Sequence, residues 1–314
     1  MRHVFILNPA AGKHARALEL REPIAAYFEA HGGEYAVHIT QAAGDATAIA
    51  RAECAAGDPV RLYACGGDGT LMEVAGGIRD CCHAQLTVIP CGSANDYIRS
   101  FGEEARFRDL DALIGGNIRY VDAIAVGDRL SLNICSVGLD ADVAGKMSRY
   151  KHLPLVSGPM AYNLALVDVF FHTLGKELRV EMDTPEGVLA REGRFMLALA
   201  ANGQYYGGGY RGAPQAVADD GWLDFLLIDE IPRAKVLSVL QMFRRGEHLS
   251  LPCCHTYRGN RMTLFAREPV VVNVDGECFS GTEVTFTLLK SAFAFVVPVG
   301  LPAARPAVPA QVEN

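Results

Sequence analysis

The feature that most constrains this chain is an alternation in its first third. Four short apolar runs, His3 to Leu7, Tyr35 to Thr40, Arg61 to Cys65 and Gln85 to Pro90, are each followed by a helical pattern, at about 14–30, 45–55, 70–79 and 94–101. Four βα units in a row predict a parallel sheet, because parallel strands need a crossover and the crossover helices then cover the sheet faces. Ligands of such sheets bind beyond the carboxyl ends of the strands. The informative residues stand at those ends: Asn8-Pro9-Ala10-Ala11-Gly12, Thr40, Gly66-Gly67-Asp68-Gly69-Thr70-Leu71, and Pro90-Cys91-Gly92-Ser93-Ala94-Asn95-Asp96. Four loops on one edge outline a single crevice.

From about residue 118 the period changes. Tyr120 to Val126 and Arg129 to Cys135 flank Gly127-Asp128, a predicted tight turn, and runs at 177–183, 194–201, 223–229, 257–265, 270–274, 283–289 and 293–297 are short and rich in β-branched and aromatic residues. The pattern predicts a mainly antiparallel second domain with helices at about 158–173 and 232–245, the latter with Pro232 near its first turn. The expected division is 1–122 and 123–291, with about 292–303 a candidate to return to the first domain and a disordered, proline-bearing tail at 304–314.

Composition narrows the function. The 36 acids exceed the 29 bases, for a net charge of −7, so no surplus of Lys and Arg exists to neutralise a nucleic acid, and phosphate chemistry has to be local. No apolar stretch approaches the roughly 18 residues of a membrane span, and the N-terminus is too short and too soon interrupted for a secretory signal, so a cytoplasmic location is expected. Nine cysteines, an odd number that includes the adjacent pairs Cys81-Cys82 and Cys253-Cys254, read as thiols of a reducing compartment. Cys253-Cys254-His255 lacks the separated pairs that let ligands converge on one ion, and reads as structural.

The strongest chemical signal is Gly66-Gly67-Asp68-Gly69-Thr70-Leu71 between a strand and a helix. Glycines let backbone N–H groups approach phosphate oxygens, and the helix points its positive end at them. An acid between them would repel phosphate unless it holds Mg²⁺ or a proton, which favours metal-assisted phosphoryl transfer. Asn8 to Lys13 is not a Walker loop, since Leu7 and His14 stand where Gly and Ser or Thr are required. Ser93 either caps the helix after the fourth strand or touches the nucleotide.

The set Asn8-Pro-x-x-Gly12, Gly66-Gly-Asp-Gly-Thr70, Pro90-x-Gly-Ser-Ala-Asn95-Asp96, Asp219-Asp220-Gly221-Trp222-Leu223-Asp224 and Val274-Asp275-Gly276-Glu277 resembles the diacylglycerol-kinase catalytic family, in the family's order. The resemblance implies a nucleotide-binding α/β domain, a β-sandwich domain with the lipid pocket, and ATP in the cleft between them. It implies contacts to ATP or its magnesium from Asn8, Pro9, Ala10, Ala11, Gly12, Thr40, Gly66, Gly67, Asp68, Gly69, Thr70, Leu71, Glu73 and Ser93. It places Asp275 and Glu277 at the reacting hydroxyl, one of them as general base, with Asp68 helping to hold metal or align the acceptor. Asp220 and the carbonyls of Val217 and Trp222 match a structural Mg²⁺ site, for which an ordinary Asp-Gly turn is the plain alternative. Departures are Glu73 after Met72, where relatives often carry Asn, Val217 where some have Lys, and Ser93 for Thr; none removes an essential acid.

The expected activity is transfer of the γ-phosphoryl group of ATP to diacylglycerol or another lipid alcohol, with Glu277 favoured over Asp275 as the base, although their proximity allows a shared role. The partners expected are a lipid alcohol and, transiently, an anionic membrane surface at the inner face, with Lys146, Arg149, Lys151 and the apolar 153–171 segment weighed against a plain solvated face. A homodimer is left open. The competing readings are an NAD kinase, which shares the glycine–aspartate loop but not the Pro90 to Asp96 segment, and a catalytically silent nucleotide- or lipid-binding regulator. The lipid itself is not specified by the sequence.

Overall fold

The computed structural model describes residues 1–12, 15–150, 164–165, 168–169 and 174–301, without the side chains of 147–149. Lys151, most of the expected 158–173 helix, Phe170-Phe171 and the tail at 304–314 lie outside the described residues. Chain contacts divide the protein into two compact units: Met1–Asp122 with Val217–Gly221 and Lys290 onward, and Ala123–Ala216 with Trp222–Leu289.

In the first unit β1 (Arg2–Leu7), β2 (Tyr35–Ile39), β3 (Val60–Gly66) and β4 (Ala84–Pro90) run parallel in the order β2-β1-β3-β4. The end of a long last strand adds to β4, also parallel, through Ala294↔Gln85 and Phe295↔Leu86. Val4 to Leu7 and Leu62 to Cys65 are fully buried, as a parallel strand covered on both faces requires. The covering helices are α1 (Arg21–His31), α2 (Asp45–Ala55) and α3 (Asp68–Gly77). Where a helix was expected over 94–101, a single 3₁₀ turn at Tyr97–Ser100 stands, followed by the short α4 (Leu110–Ile114).

The second unit is antiparallel. β5 (Asn117–Val126) carries the chain in and meets β6 (Arg129–Ser131) across the two-residue turn Gly127-Asp128. β7 (Ile134–Gly138), β8 (Lys176–Thr184), β9 (Gly187–Ala201), β10 (Leu223–Asp229), β11 (Cys254–Gly259), β12 (Arg261–Val274) and β13 (Glu277–Val297) complete the strands. β9 pairs with β8 along its first part and with β7 along its second, and β12 divides its length the same way, so both strands belong to two layers. Val180, Met182, Phe225, Leu264, Val272 and Phe286 fill the interior they enclose. α5 (Leu139–Tyr150) follows β7. α6 (Arg233–Arg245) buries Val236, Val239 and Phe243 against Leu197, Leu199, Leu226 and Ile228. Its spacing of 3, 4 and 7 residues is the apolar stripe of a surface helix. Pro232 is its N-cap and Gly246, at φ 77°, its C-cap.

Two expected strand pairs turn out to be single long strands. β12 runs through Arg267-Glu268-Pro269, with its register to β13 shifting between Phe265 and Val270, and β13 runs through Lys290-Ser291, where Ser291 sits at φ 48°. Irregular residues inside a strand read as a break because turn chemistry and bulge chemistry use the same residue types. The run 257–265 errs the opposite way, since it is split at Asn260 between β11 and β12.

Candidate active site

The seven buried residues of β3 deliver the chain into Gly66-Gly67-Asp68, and α3 begins at once, with Gly67 extended as its cap. The amide of Asn8 donates to Thr70 Oγ1 at 2.9 Å while its oxygen accepts the Ala10 N–H at 2.9 Å. This one side chain therefore shapes the loop after β1 and ties it to α3. Pro9, Ala10, Ala11 and Gly12 complete that loop, with Gly12 at φ 72°. Thr40 is buried beside it, giving its N–H (3.0 Å) and its hydroxyl (3.4 Å) to the Leu7 carbonyl.

Glycine is required here by packing. The N–H groups of Cys91 and Gly92 both donate to the Gly66 carbonyl, at 2.8 and 3.1 Å. A Cβ on Gly12 would overlap the Cys91 carbonyl oxygen, one on Gly66 would overlap the Thr70 side chain, and one on Gly92 would stand 2.5 Å from Gly67 Cα. The loops after β1, β3 and β4 are thus in direct backbone contact. Gly69, by contrast, is exposed with open space around it, and Leu71 is in the core.

Asp68 is held by amides. Its Oδ2 accepts the Asp96 N–H at 2.9 Å and its Oδ1 accepts the Tyr97 N–H at 3.1 Å. These amides favour the ionised carboxylate and leave its negative charge in place beside the glycine loops. One expectation about the 3₁₀ turn at Tyr97–Ser100 changes. Ser93 does not cap that turn, whose N-cap position is Asp96; Ser93 is exposed. Each Asp68 oxygen keeps a second lone pair, so metal ligation is compatible with the clamp. Glu73, one turn into α3, accepts the Ala46 N–H at 3.2 Å and, through its carbonyl, the Thr47 hydroxyl at 2.8 Å, so it binds α2 to α3.

Asn95 is a residue of the motif whose importance the sequence reading missed. It sits at φ 52°, 4% exposed, and its amide donates to the Gly92 carbonyl (3.1 Å) and Glu104 (3.3 Å). Its Oδ1 is buried without a partner among the described residues. A buried acceptor of this kind calls for a donor.

Val217–Gly221 belongs to the first unit and Trp222 begins the second. The buried Asp122, also unremarked in the sequence, holds that segment: its N–H donates to the Ala218 carbonyl (2.7 Å), and its carboxylate accepts the N–H groups of Gly221 (2.8 Å) and Ser291 (2.7 Å). Arg119 makes a two-pronged pair with Asp219 at 2.6 and 2.5 Å. Burial pushes the Asp122 carboxyl above its ordinary range, and the neighbouring Asp220 and Asp219 add to that push. Lys290 lies beside this turn, its Nζ 3.7 Å from where a Gly221 Cβ would stand. The Asp220 carboxylate and the carbonyls of Val217 and Trp222 are oxygen donors, the ligand type that a hard cation such as Mg²⁺ takes.

In the second unit, Asp275 (φ 47°) and Gly276 (φ 96°) form the two-residue turn between β12 and β13, with Val274 paired to Glu277. Positive φ at both central positions suits the twist of a hairpin. The Asp275 carboxylate accepts three backbone N–H groups, from Leu132 (2.9 Å), Asn133 (3.3 Å) and Ile134 (2.9 Å). Burial pushes its pKa up to about 6 against the pull of those bonds and of Ser131. Glu277 differs: its side chain is 77% exposed, 3.2 Å from Arg129. The structure separates the two acids into a clamped one and an accessible one. Lys146 is paired with Asp168 at 3.0 Å, and His255 with Asp229 at 2.8 Å.

Residues 2–126 match the diacylglycerol kinase catalytic domain, and residues 133–297 match the YegS C-terminal NAD kinase beta sandwich-like domain. The chain belongs to the diacylglycerol kinase family. Its relatives within the family include a "Probable lipid kinase YegS-like" of Pseudomonas aeruginosa (strain UCBPP-PA14), 33% identical over 295 residues and 94% of each chain. The diacylglycerol kinase of Bacillus subtilis (strain 168) is 31% identical over 279 residues, 87% of this chain and 88% of the other. A crystal structure of a diacylglycerol kinase from Bacillus anthracis str. Sterne shares the fold, with TM-score 0.69 at 20% identity over 96% of this chain and 98% of that one. By family the chain is a kinase of the lipid class, and among its described residues no helix is long and apolar enough to cross a membrane.

Proposed function

We propose that this protein transfers the γ-phosphoryl group of ATP to the hydroxyl of diacylglycerol or a related lipid alcohol. The observation that carries the reading is the backbone-to-backbone junction of three glycine turns at neighbouring strand ends, with the N-terminus of α3 opening from it. Such a junction offers N–H donors and a positive helix end to phosphates while excluding side chains. The relatives named lipid and diacylglycerol kinases support a lipid acceptor.

Phosphoryl transfer asks the protein for position and charge stabilisation. Asn8, Pro9, Ala10, Ala11, Gly12, Thr40, Gly66, Gly67, Gly69, Thr70, Leu71 and Ser93 are assigned to ATP, some by contact and some, like Thr40, by shaping the loops. Glu73 acts by holding α2 to α3. Asp68 holds the 96–97 amides, and its remaining lone pairs would be available to a metal. Mg²⁺, when bound, would neutralise the phosphates; a second Mg²⁺ is assigned to Asp220 and the Val217 and Trp222 carbonyls. Glu277 takes the proton of the lipid hydroxyl, because its carboxylate is exposed while that of Asp275 is occupied by three amides. Asp275 fixes the hairpin that carries Glu277. The lipid is met in transient contact at the inner membrane face, with no nucleic acid involved.

The test is incubation with γ-labelled ATP, Mg²⁺ and mixed micelles of diacylglycerol, phosphatidylglycerol or a sphingoid base, with NAD as a separate acceptor. Label on a lipid is expected; label on NAD alone, or on nothing, would overturn the reading.

A further inference from the structure

We propose a further metal site, apart from those assigned to Mg²⁺, for a thiophilic divalent cation of the Zn²⁺ type, formed by Cys54, Cys81 and His83 at the edge of the first unit opposite the phosphate loops. Among the described residues this is the group of His, Cys, Asp and Glu side chains whose ligand atoms converge as a metal requires, all lying within 4.8 Å of one another. The His83 Nε2 is already 3.3 Å from Cys81 Sγ, close to the roughly 3.5 Å that a tetrahedral ion imposes on a sulfur and a nitrogen ligand at about 2.3 and 2.0 Å. Thiolate and imidazole select zinc-like ions over Mg²⁺. The nearest carboxylate in sequence, Glu53, is engaged by Arg2 (2.6 Å) and His38 (2.7 Å). Three protein ligands leave a fourth position for water or for the neighbouring exposed Cys82.

The three residues come from two parts of the chain, 27 residues apart at Cys54 and Cys81, that the fold holds together. Cys54 lies in the last turn of α2, and Cys81 and His83 in the turn before β4, closed by the Ala84 N–H on the Cys81 carbonyl at 3.2 Å. Without metal, His83 Nε2 donates its N–H to the Cys54 carbonyl oxygen at 3.1 Å, a proton that an ion bound at Nε2 would displace, and the His83 carbonyl accepts the Val60 N–H at 3.3 Å, so the turn is anchored from both sides in the metal-free chain. These are the amino ends of β3 and β4, whereas the glycine turns stand at their carboxyl ends. An ion here would pin the end of α2 to the sheet and take no part in phosphoryl transfer.

The experiment uses the full chain, reduced and stripped with a chelator, then titrated with Co²⁺ and afterwards with Zn²⁺. One equivalent of Co²⁺ is expected to give thiolate-to-cobalt charge transfer and the intense visible bands of a tetrahedral ion; Zn²⁺ should bleach them and raise the melting temperature. Cys54→Ser and Cys81→Ser should each abolish the bands, and His83→Asn, at a half-buried position and therefore the least disruptive, should weaken them. Cys253→Ser should keep them. Absence of tetrahedral cobalt in the wild type, bands that survive Cys54→Ser and Cys81→Ser, or a Cys54–Cys81 disulfide in place of bound metal would overturn the proposal. Because cobalt absorbance is the readout, this outcome is independent of whether the chain phosphorylates lipid.

Discussion

Asp68 in the first unit and Asp275 in the second both spend their carboxylates on backbone N–H groups, yet their surroundings are built differently. Around Asp68 three loops touch backbone to backbone, and the glycines are demanded by lack of room as well as by conformation. Around Asp275 one hairpin turn leans on one segment, and Gly276 has nothing within 4 Å of where a Cβ would stand. In the proposed reading the first arrangement is a cradle that fixes donors for a ligand, and the second is a bracket that aims one exposed acid, Glu277. On that reading, what a motif acid's oxygens accept decides whether it reacts or supports.

The comparison breaks most visibly at Gly66. Gly66→Ala drives a methyl into Thr70, and overpacking of this kind costs about 1–3 kcal/mol. A shift of about 1 Å in the cradle is expected to lower lipid-kinase turnover roughly 100-fold, read by melting temperature and initial rates. Asp68→Asn comes next. An amide has a single acceptor oxygen, so the Asp96 or the Tyr97 N–H loses its partner, a loss of about 1–3 kcal/mol that a denaturant series would register with weakened ATP binding.

Asp275→Asn sharpens the contrast through pH. The wild-type carboxyl has a folded pKa of about 6 against 3.8 unfolded, so the folded state binds more protons between those values. Its contribution to stability is full below 3.8 and is lost as pH rises through about 6. Urea midpoints measured across this window should fall with pH in the wild type more steeply than in the variant. Gly69→Ala is the smallest change to the fold: with open space and ordinary φ, stability should move by less than about 0.5 kcal/mol, read from urea midpoints.

The sequence carries the βα alternation and the glycine motifs plainly, because both are local: strand period, turn residue and helix start follow one another along the chain. It does not carry Asp122, whose partners Gly221 and Ser291 are 99 and 169 residues away, nor the clamp on Asp68, which rests on amides 28 and 29 residues on. The lengths of β12 and β13 are hidden for a related reason. Arg267-Glu268-Pro269 and Lys290-Ser291 have the composition of turns, and cross-strand pairing decides that they are irregularities within strands. The orphaned oxygen of Asn95 is likewise a property of burial that residue type cannot announce.

The division between a cradle that binds and a bracket that aims is tested most directly by Glu277→Gln, with ATP affinity and single-turnover phosphorylation of lipid measured on the same preparation. The account predicts unchanged affinity for ATP and a rate at least about 100-fold lower, as expected for loss of a general base. A rate equal to the wild type, or a variant that no longer binds ATP, would contradict it.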